Sequence, residues 1–192
     1  MTMITIRQET PRDIVAREAL LDQALGEGRS GKTAQRLRDG RLPADGLSFV
    51  VTENRRVVGT VRLWNVAAGP QQRALLLGPI AVAGDRQGGG IGGALMRHAL
   101  EAAERLGHDA VLLVGDAPYY GRFGFSTEQT GALWLPGPYE RHRLLACELV
   151  PGSLAGARGL VSAAGRCEPK PDLAALVAGL ARNDRPLASR AA

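Results

Sequence analysis

Two glycine-rich stretches of this 192-residue chain have the residue types and spacing to hold a phosphate. The first, Gln87-Gly88-Gly89-Gly90-Ile91-Gly92-Gly93, lies between an apolar run ending at Val82 and an amphipathic one. Glycines between a strand and a helix gather backbone N–H groups around one concavity, into which the positive end of the helix dipole points. Glycine in a helical turn costs about 0.5–1 kcal/mol, so Gly92 and Gly93 at a helix start call for a compensating close approach of ligand. A flexible surface turn is the plain alternative. The same residues also fit G-x-G-x-x-G as Gly88, Gly90 and Gly93, with Asp116 about 20 residues on, the pattern of a dinucleotide site. In that fold the strand runs almost directly into the first glycine. Here Ala83 to Gln87 intervene, and no strand-helix alternation follows Val114.

The second stretch, Gly26-Glu27-Gly28-Arg29-Ser30-Gly31-Lys32-Thr33, fits the nucleotide-binding P-loop at every position, and Val111 to Asp116 could serve as its Walker B strand. A P-loop needs a buried strand to deliver the chain into the glycine turn. The preceding residues instead have helical period and carry Arg17, Glu18 and Asp22. The other readings are a basic interhelical loop and a loop that covers a substrate mouth.

The elements that must position these loops can be read from hydrophobic period and turn chemistry. Met1 to Arg7 alternates as a strand, and Thr10-Pro11-Arg12-Asp13 has the capping-box pattern of a helix start. Apolar residues from Ile14 to Leu25 then recur at helical spacing. Leu47–Glu53 and Val57–Ala67 read as strands joined by a hairpin around Asn54-Arg55-Arg56, and Gly69-Pro70 turns the chain into the Leu75 strand. Those four strands form an antiparallel meander. Pro79 cannot donate to a ladder, so it predicts a bulge or splay, leaving backbone groups of Ile80 to Val82 free for an extended, amide-bearing ligand. A helix is expected from Gly90 to Leu106, ended by Gly107, and Ala110 to Val114 is expected to lie parallel to the Leu75 strand. Strands are also expected near Thr130–Leu135 and Arg143–Val150. A helix is expected over Asp172–Leu180, with disorder in the last dozen residues. The domain expectation is one unit over 1–165 and a tail over 166–192.

Composition narrows the function. No apolar run is long enough to span a bilayer and the start is a strand, so a cytoplasmic protein without membrane association is expected. Cys147 and Cys167 are the only cysteines and lack metal-type spacing, so neither a disulfide nor a metal is expected. The formal charge of +5 comes from arginine, with lysine only at Lys32 and Lys170. These arginines are scattered and not interleaved with aromatics, which argues against nucleic acid; a phosphate-bearing small ligand accounts for the sign equally well.

With these elements in order, the chain resembles the GNAT superfamily of acyl-CoA-dependent N-acetyltransferases, particularly its small, uncharacterised bacterial members. The family's pyrophosphate loop, Gln/Arg-x-x-Gly-x-Gly/Ala, corresponds to Gln87 through Gly92. Its aromatic-Tyr-x-x-x-Gly-Phe segment corresponds to Tyr119 through Phe125. The two occur in order, one helix and one strand apart, and the resemblance covers residues 3 to 150. It implies an α/β (α+β) fold with a mixed, mostly antiparallel sheet of about seven strands, one pair splayed, flanked by helices. It implies acetyl-CoA as donor, with pyrophosphate on the amides of Gln87, Gly88, Gly89, Gly90, Ile91 and Gly92 and pantetheine along Ile80, Ala81 and Val82. It further implies direct transfer in a ternary complex to an amine, either a small molecule or a protein lysine. By the same resemblance Tyr120 touches the donor and is the general acid for the departing thiolate. Tyr119 and Phe123, four apart, would then share the buried face of a short helix with Tyr120 turned away from them. The strand before the glycine loop has no acid between Ala74 and Val82, so the base must lie elsewhere. Asp116, at a strand end near Tyr120, is taken for it ahead of Glu148 and His142. Many family members dimerise, although no pattern here specifies a homodimer. A non-catalytic acetyl-CoA sensor is the remaining alternative.

Overall fold

A computed structural model describes residues 4–169 of the chain. Strand β1 (Ile4–Gln8) leads into helix α1 (Ile14–Leu25) through a 3-10 turn at Pro11–Asp13. The turn is the expected helix start: the backbone N–H and the hydroxyl of Thr10 each donate to the Asp13 carboxylate at 2.8 Å. Arg7 closes on the same carboxylate through two bonds of 2.7 Å.

The meander follows as β2 (Ser48–Glu53), β3 (Arg56–Ala68) and β4 (Gln72–Val82). Asn54 and Arg55 both take positive φ, 50° and 67°, the geometry of a two-residue hairpin that follows strand twist. Helix α2 (Ile91–Arg105) crosses over to β5 (Ala110–Val114), parallel to β4. Helix α3 (Ala117–Tyr120) and strands β6 (Leu133–Trp134), β7 (Leu144–Glu148) and β8 (Gly159–Ala163) complete the described chain. The sheet order is β1-β2-β3-β4-β5-β7, with β8 pairing the far end of β3 and β6 pairing β8.

The sheet therefore has eight strands among the described residues, one more than expected. The addition is β8, in a stretch that composition alone made featureless: only Val161 of it is buried, and it exists because Val66 to Ala68 of β3 offer it an edge. The expected helix at 172–180 lies outside the described residues. Pairing continues past the boundary expected at 165, since Arg41 bridges Cys167 and Arg166 reaches Asp45.

Both faces of the sheet are covered, which is why the central strands read as continuous apolar runs. Leu75 and Leu77 of β4, with Val111 and Leu113 of β5, point to the side of α1 and α2 and pack with Leu21, Leu95 and Met96. Leu76 and Leu112 point the other way, into a second core with Leu37, Trp64, Leu133 and Val161. Ile91 and Leu95 close on Gly59 of β3, where an added Cβ would stand 3.0 Å from Ile91. That contact seats the α2 N-terminus on the sheet, beside the end of β4.

Candidate active site

The splay predicted from Pro79 is present. Opposite β3, Val61 faces Ile80 and Leu63 faces Leu77, so Gly78 and Pro79 oppose Arg62 alone and form a bulge. The indole N–H of Trp64 donates to the Gly78 carbonyl at 2.7 Å and fixes the bulged peptide. β4 pairs β5 only at Leu75 and Leu76, whereas β5 stays paired to β7 as far as Val114. Beyond the bulge, Ile80 to Val82 keep one edge on β3 and turn the other to an open cleft.

This first cleft, about 480 Å³, is lined by Ile80, Ala81, Val82, Gln87, Gly88, Gly90, Ile91 and Gly92. Gly89 is exposed within the same loop. Gly88 and Gly90 take φ of +79° and +80°, conformations that L side chains rarely adopt. The amides of Gly88 to Gly90 donate to no backbone acceptor among the described residues. Those of Ile91 to Gly93, in the first turn of a fifteen-residue helix, have none within the helix. The result is a concave set of N–H donors at a positive helix end, the physical requirement of a pyrophosphate site. Arg86 and Arg122 add positive charge at its margin. Arg122 stacks 4.0 Å over the Tyr119 ring and was legible only as the variable residue inside the aromatic segment.

A second cleft, about 520 Å³, opens on the other side of Ile80 and Tyr120, the two residues that line both. Its walls are Leu77 to Ile80 of β4, Leu113 to Asp116 at the end of β5, the segment from Leu25 to Arg38, and Leu135 to Arg143. Gly26 to Thr33 is thus not a P-loop. Helix α1 precedes it instead of a strand, it folds into 3-10 turns, and its Thr33 hydroxyl donates to the Pro138 carbonyl. Arg36 adds a bond of 2.8 Å to the Pro136 carbonyl, so the loop is laced to the opposite wall. The dinucleotide pattern fails too, because a 3-10 turn at Gly84–Arg86 separates β4 from the glycines.

Tyr120 stands at the junction. Its ring lies on Gly115 so closely that a Cβ there would be 2.1 Å from Cε2, and its edge meets Tyr119 at 4.9 Å between centroids. The expected packing of the aromatic segment is corrected here. Tyr119 is exposed, with its hydroxyl over Gly92, and Tyr120 is the inward ring. Helix α3 ends at Tyr120 and a 3-10 turn carries Phe123, so the four-residue repeat does not define a buried face. Burial pushes the Tyr120 phenol up from its ordinary value; Tyr119 and Asp116 push the same way and Arg143 opposes them. The phenol therefore holds its proton at neutral pH.

Asp116 lines the second cleft near the Tyr120 backbone, and its carboxylate is 73 % exposed and 3.2 Å from Arg143. Arg143 also meets Glu140 at 3.3 Å. Glu148 is structural, accepting from the amides of Gly152 and Leu154, and exposed His142 lines neither cleft. Arg38 and Arg143 went unnoticed in the sequence, where a scattered arginine carries no signal. Burial pushes the Arg38 guanidinium down to about 10, still a cation near neutrality. Among the described residues no group of three His, Cys, Asp or Glu could hold a metal, and no helix is long and apolar enough to cross a membrane.

Known proteins share this fold. Residues 44–127 match the family model for the acetyltransferase (GNAT) domain. The chain is 30% identical over 159 residues to the uncharacterized N-acetyltransferase YhbS of Escherichia coli (strain K12), covering 81% of this chain and 93% of that one. The crystal structure of Escherichia coli YhbS in complex with CoA superposes with a TM-score of 0.73 at 28% identity, covering 88% of this chain and 97% of that one. A GNAT family acetyltransferase from Brucella melitensis in complex with acetyl-CoA gives 0.64 at 27% identity, covering 84% and 96%. Curated relatives and solved structures of one fold agree along most of the chain, and the protein belongs to the GNAT superfamily of acetyl-CoA-dependent N-acetyltransferases.

Proposed function

We propose that the protein transfers the acetyl group of acetyl-CoA directly to a primary amine while both substrates are bound. The observation that carries this reading is the meeting of two clefts at Ile80 and Tyr120. One suits a pyrophosphate and an extended amide-bearing arm. The other is open to a second substrate from the opposite side. In this reading the amides of Gln87 to Gly92 hold the pyrophosphate, and the free edge of Ile80 to Val82 pairs with the pantetheine.

An amine with the pKa of lysine is neutral about once in 2000 at pH 7, equivalent to about 4–5 kcal/mol of barrier. Lys32 and Arg38, cations unpaired among the described residues, and the apolar residues of the second cleft disfavour the ammonium, and Asp116 takes the proton it sheds. Asp116 is exposed, so that proton passes on to solvent. The amine nitrogen then attacks the thioester carbonyl, the C–S bond breaks as Tyr120 protonates the leaving sulfur, and the second proton that the nitrogen gives up restores the phenol. The protein's solved relatives bound to CoA and acetyl-CoA support the donor assignment.

The test is a thermal shift with acetyl-CoA, Mg-ATP and NAD in parallel, followed by initial rates of CoA release with amines. Acetyl-CoA at a hundred times its dissociation constant adds about 2.7 kcal/mol, which raises the midpoint of a domain this size by about 5–10 °C. Varying both substrates gives intersecting double-reciprocal lines; parallel lines would show a covalent acetyl-enzyme and overturn direct transfer. No shift with acetyl-CoA would remove the donor site.

A further inference from the structure

Arg38 enters the second cleft from the wall that follows the Gly26–Thr33 loop. Its half-buried side chain lies over the bulge, with Nη2 3.2 Å from where a Cβ on Gly78 would stand. Among the described residues its side chain donates no hydrogen bond, and its Nε is a buried donor without an acceptor. The one carboxylate close enough to influence it is that of Asp39, which instead accepts from the Gln35 side chain at 2.7 Å. Burying a guanidinium without a counter-ion is unfavourable, and Arg38 is the cation most in need of one.

The other cations of the cleft differ. Arg29 is held by Asp22 and Glu18, and Arg143, whose Nε also lacks an acceptor among the described residues, is paired through its terminal nitrogens with Asp116 and Glu140. Lys32 is exposed at the rim and forms no ion pair among the described residues. Both unengaged cations thus come from the segment that ends at Arg38, whereas the carboxylates Asp116 and Glu140 come from the segments that carry Tyr120 and Arg143, and Arg143 pairs with both. Between them lie Leu25, Leu77, Pro79, Leu113 and Leu135. A ligand complementary to this lining has an oxyanion for Arg38, an apolar body and an amine that reaches Tyr120.

We propose that Arg38 is the anchor for an oxyanion on the acceptor, so that the substrate is a small amine bearing a carboxylate or a phosphate. The planar fork of a guanidinium takes either group through two parallel N–H bonds. Gly78 is two residues along β4 from Ile80, so an oxyanion held at Arg38 leaves the amine of a short molecule at the junction of the clefts. A protein lysine brings no such group on its own side chain and would leave Arg38 without a counter-ion. The inference rests on the acetyltransferase reading above.

The test compares four acceptors on one short aliphatic frame: the amino carboxylate, the amino phosphate, the amino carboxamide and the plain amine. CoA release is followed with the unaltered protein, Arg38→Gln and Arg38→Lys. One oxyanion amine is expected to exceed both neutral ones in kcat/KM by about 10- to 100-fold. The carboxylate and phosphate arms identify which oxyanion is meant. Arg38→Gln should abolish that gap by raising KM for the oxyanion amine far more than for the neutral amines, and Arg38→Lys should keep part of it. Should Arg38→Gln not fold, the gap must still shrink in Arg38→Lys, which keeps the charge and loses the fork. A gap that survives substitution, or neutral amines that serve as well from the start, overturns the anchor. The acetyl-CoA melting shift is measured on every variant: its presence without an oxyanion preference sinks the anchor alone, and its absence from the unaltered protein sinks the acetyltransferase reading.

Discussion

Tyr120 combines three circumstances that a proton donor to a leaving sulfur needs: a position shared by both clefts, a ring fixed against Gly115, and a phenol that burial keeps protonated. Tyr120→Phe should lower kcat by about 100-fold, the ordinary contribution of general acid catalysis, with little change in the acetyl-CoA melting shift. The sign of the pKa displacement sets the pH profile. A raised value keeps the acid form to higher pH, so the falling limb of kcat/KM belongs above about 10, the ordinary tyrosine value. A falling limb centred below that value, or one that persists in Tyr120→Phe, would give the acid role to another group. If Asp116 takes the proton of the amine, Asp116→Asn should lower kcat/KM near neutral pH, where the amine is almost wholly protonated, and the loss should fade at high pH, where the amine is already free. An unchanged profile in Asp116→Asn would leave the proton to bulk water.

The elements matter through how they are tied. Helix α1 supplies Leu25 to the second cleft, and its start is held by the bonds among Arg7, Thr10 and Asp13. Glu9 reinforces it from the end of β1, buried between Arg17 of α1 and Arg62 of β3. The Arg7 guanidinium and the Thr10 donors hold the Asp13 carboxyl well below the usual carboxylate range. A carboxyl depressed in the folded state stabilises above its unfolded value of about 4 and loses that effect as pH falls through the folded value. Asp13→Asn is therefore expected to cost about 1 kcal/mol near pH 7, with the difference shrinking steadily as pH falls below about 4. Urea denaturation of both proteins across that range measures it, and a constant difference would mean that the cap acts without its charge.

Seen entire, the molecule is a meander and a crossover whose separation at Gly78 opens two clefts back to back. Much of this was legible in the sequence because it is written in local chemistry: Thr10-Pro11 at a helix start, Asn54-Arg55 in a hairpin, Pro79 at a bulge, glycines at a helix N-terminus. What stayed hidden depends on residues far apart in the chain. β8 has no apolar pattern of its own and is defined by the edge of β3. Arg38 reads as one more surface arginine until the fold lays it over the bulge at Gly78 and into the second cleft. Gly115 looks like an ordinary strand end until the Tyr120 ring is laid on it. The P-loop match was complete as a string and empty as geometry, because a motif acts only through the strand that feeds it.

The bond from the Trp64 indole to the Gly78 carbonyl gives the protein a built-in optical reporter. Only two tryptophans are present; Trp64 is 7% exposed and anchored to the bulge, whereas Trp134 is 51% exposed beneath the Arg141 guanidinium. Emission from Trp64 should be blue-shifted and shielded from iodide, and emission from Trp134 red and readily quenched. With Trp134→Phe as background, the remaining signal senses the peptide between the clefts. It should respond to an acceptor arriving beside Arg38 in the absence of any turnover, so that ligand occupancy becomes visible as colour.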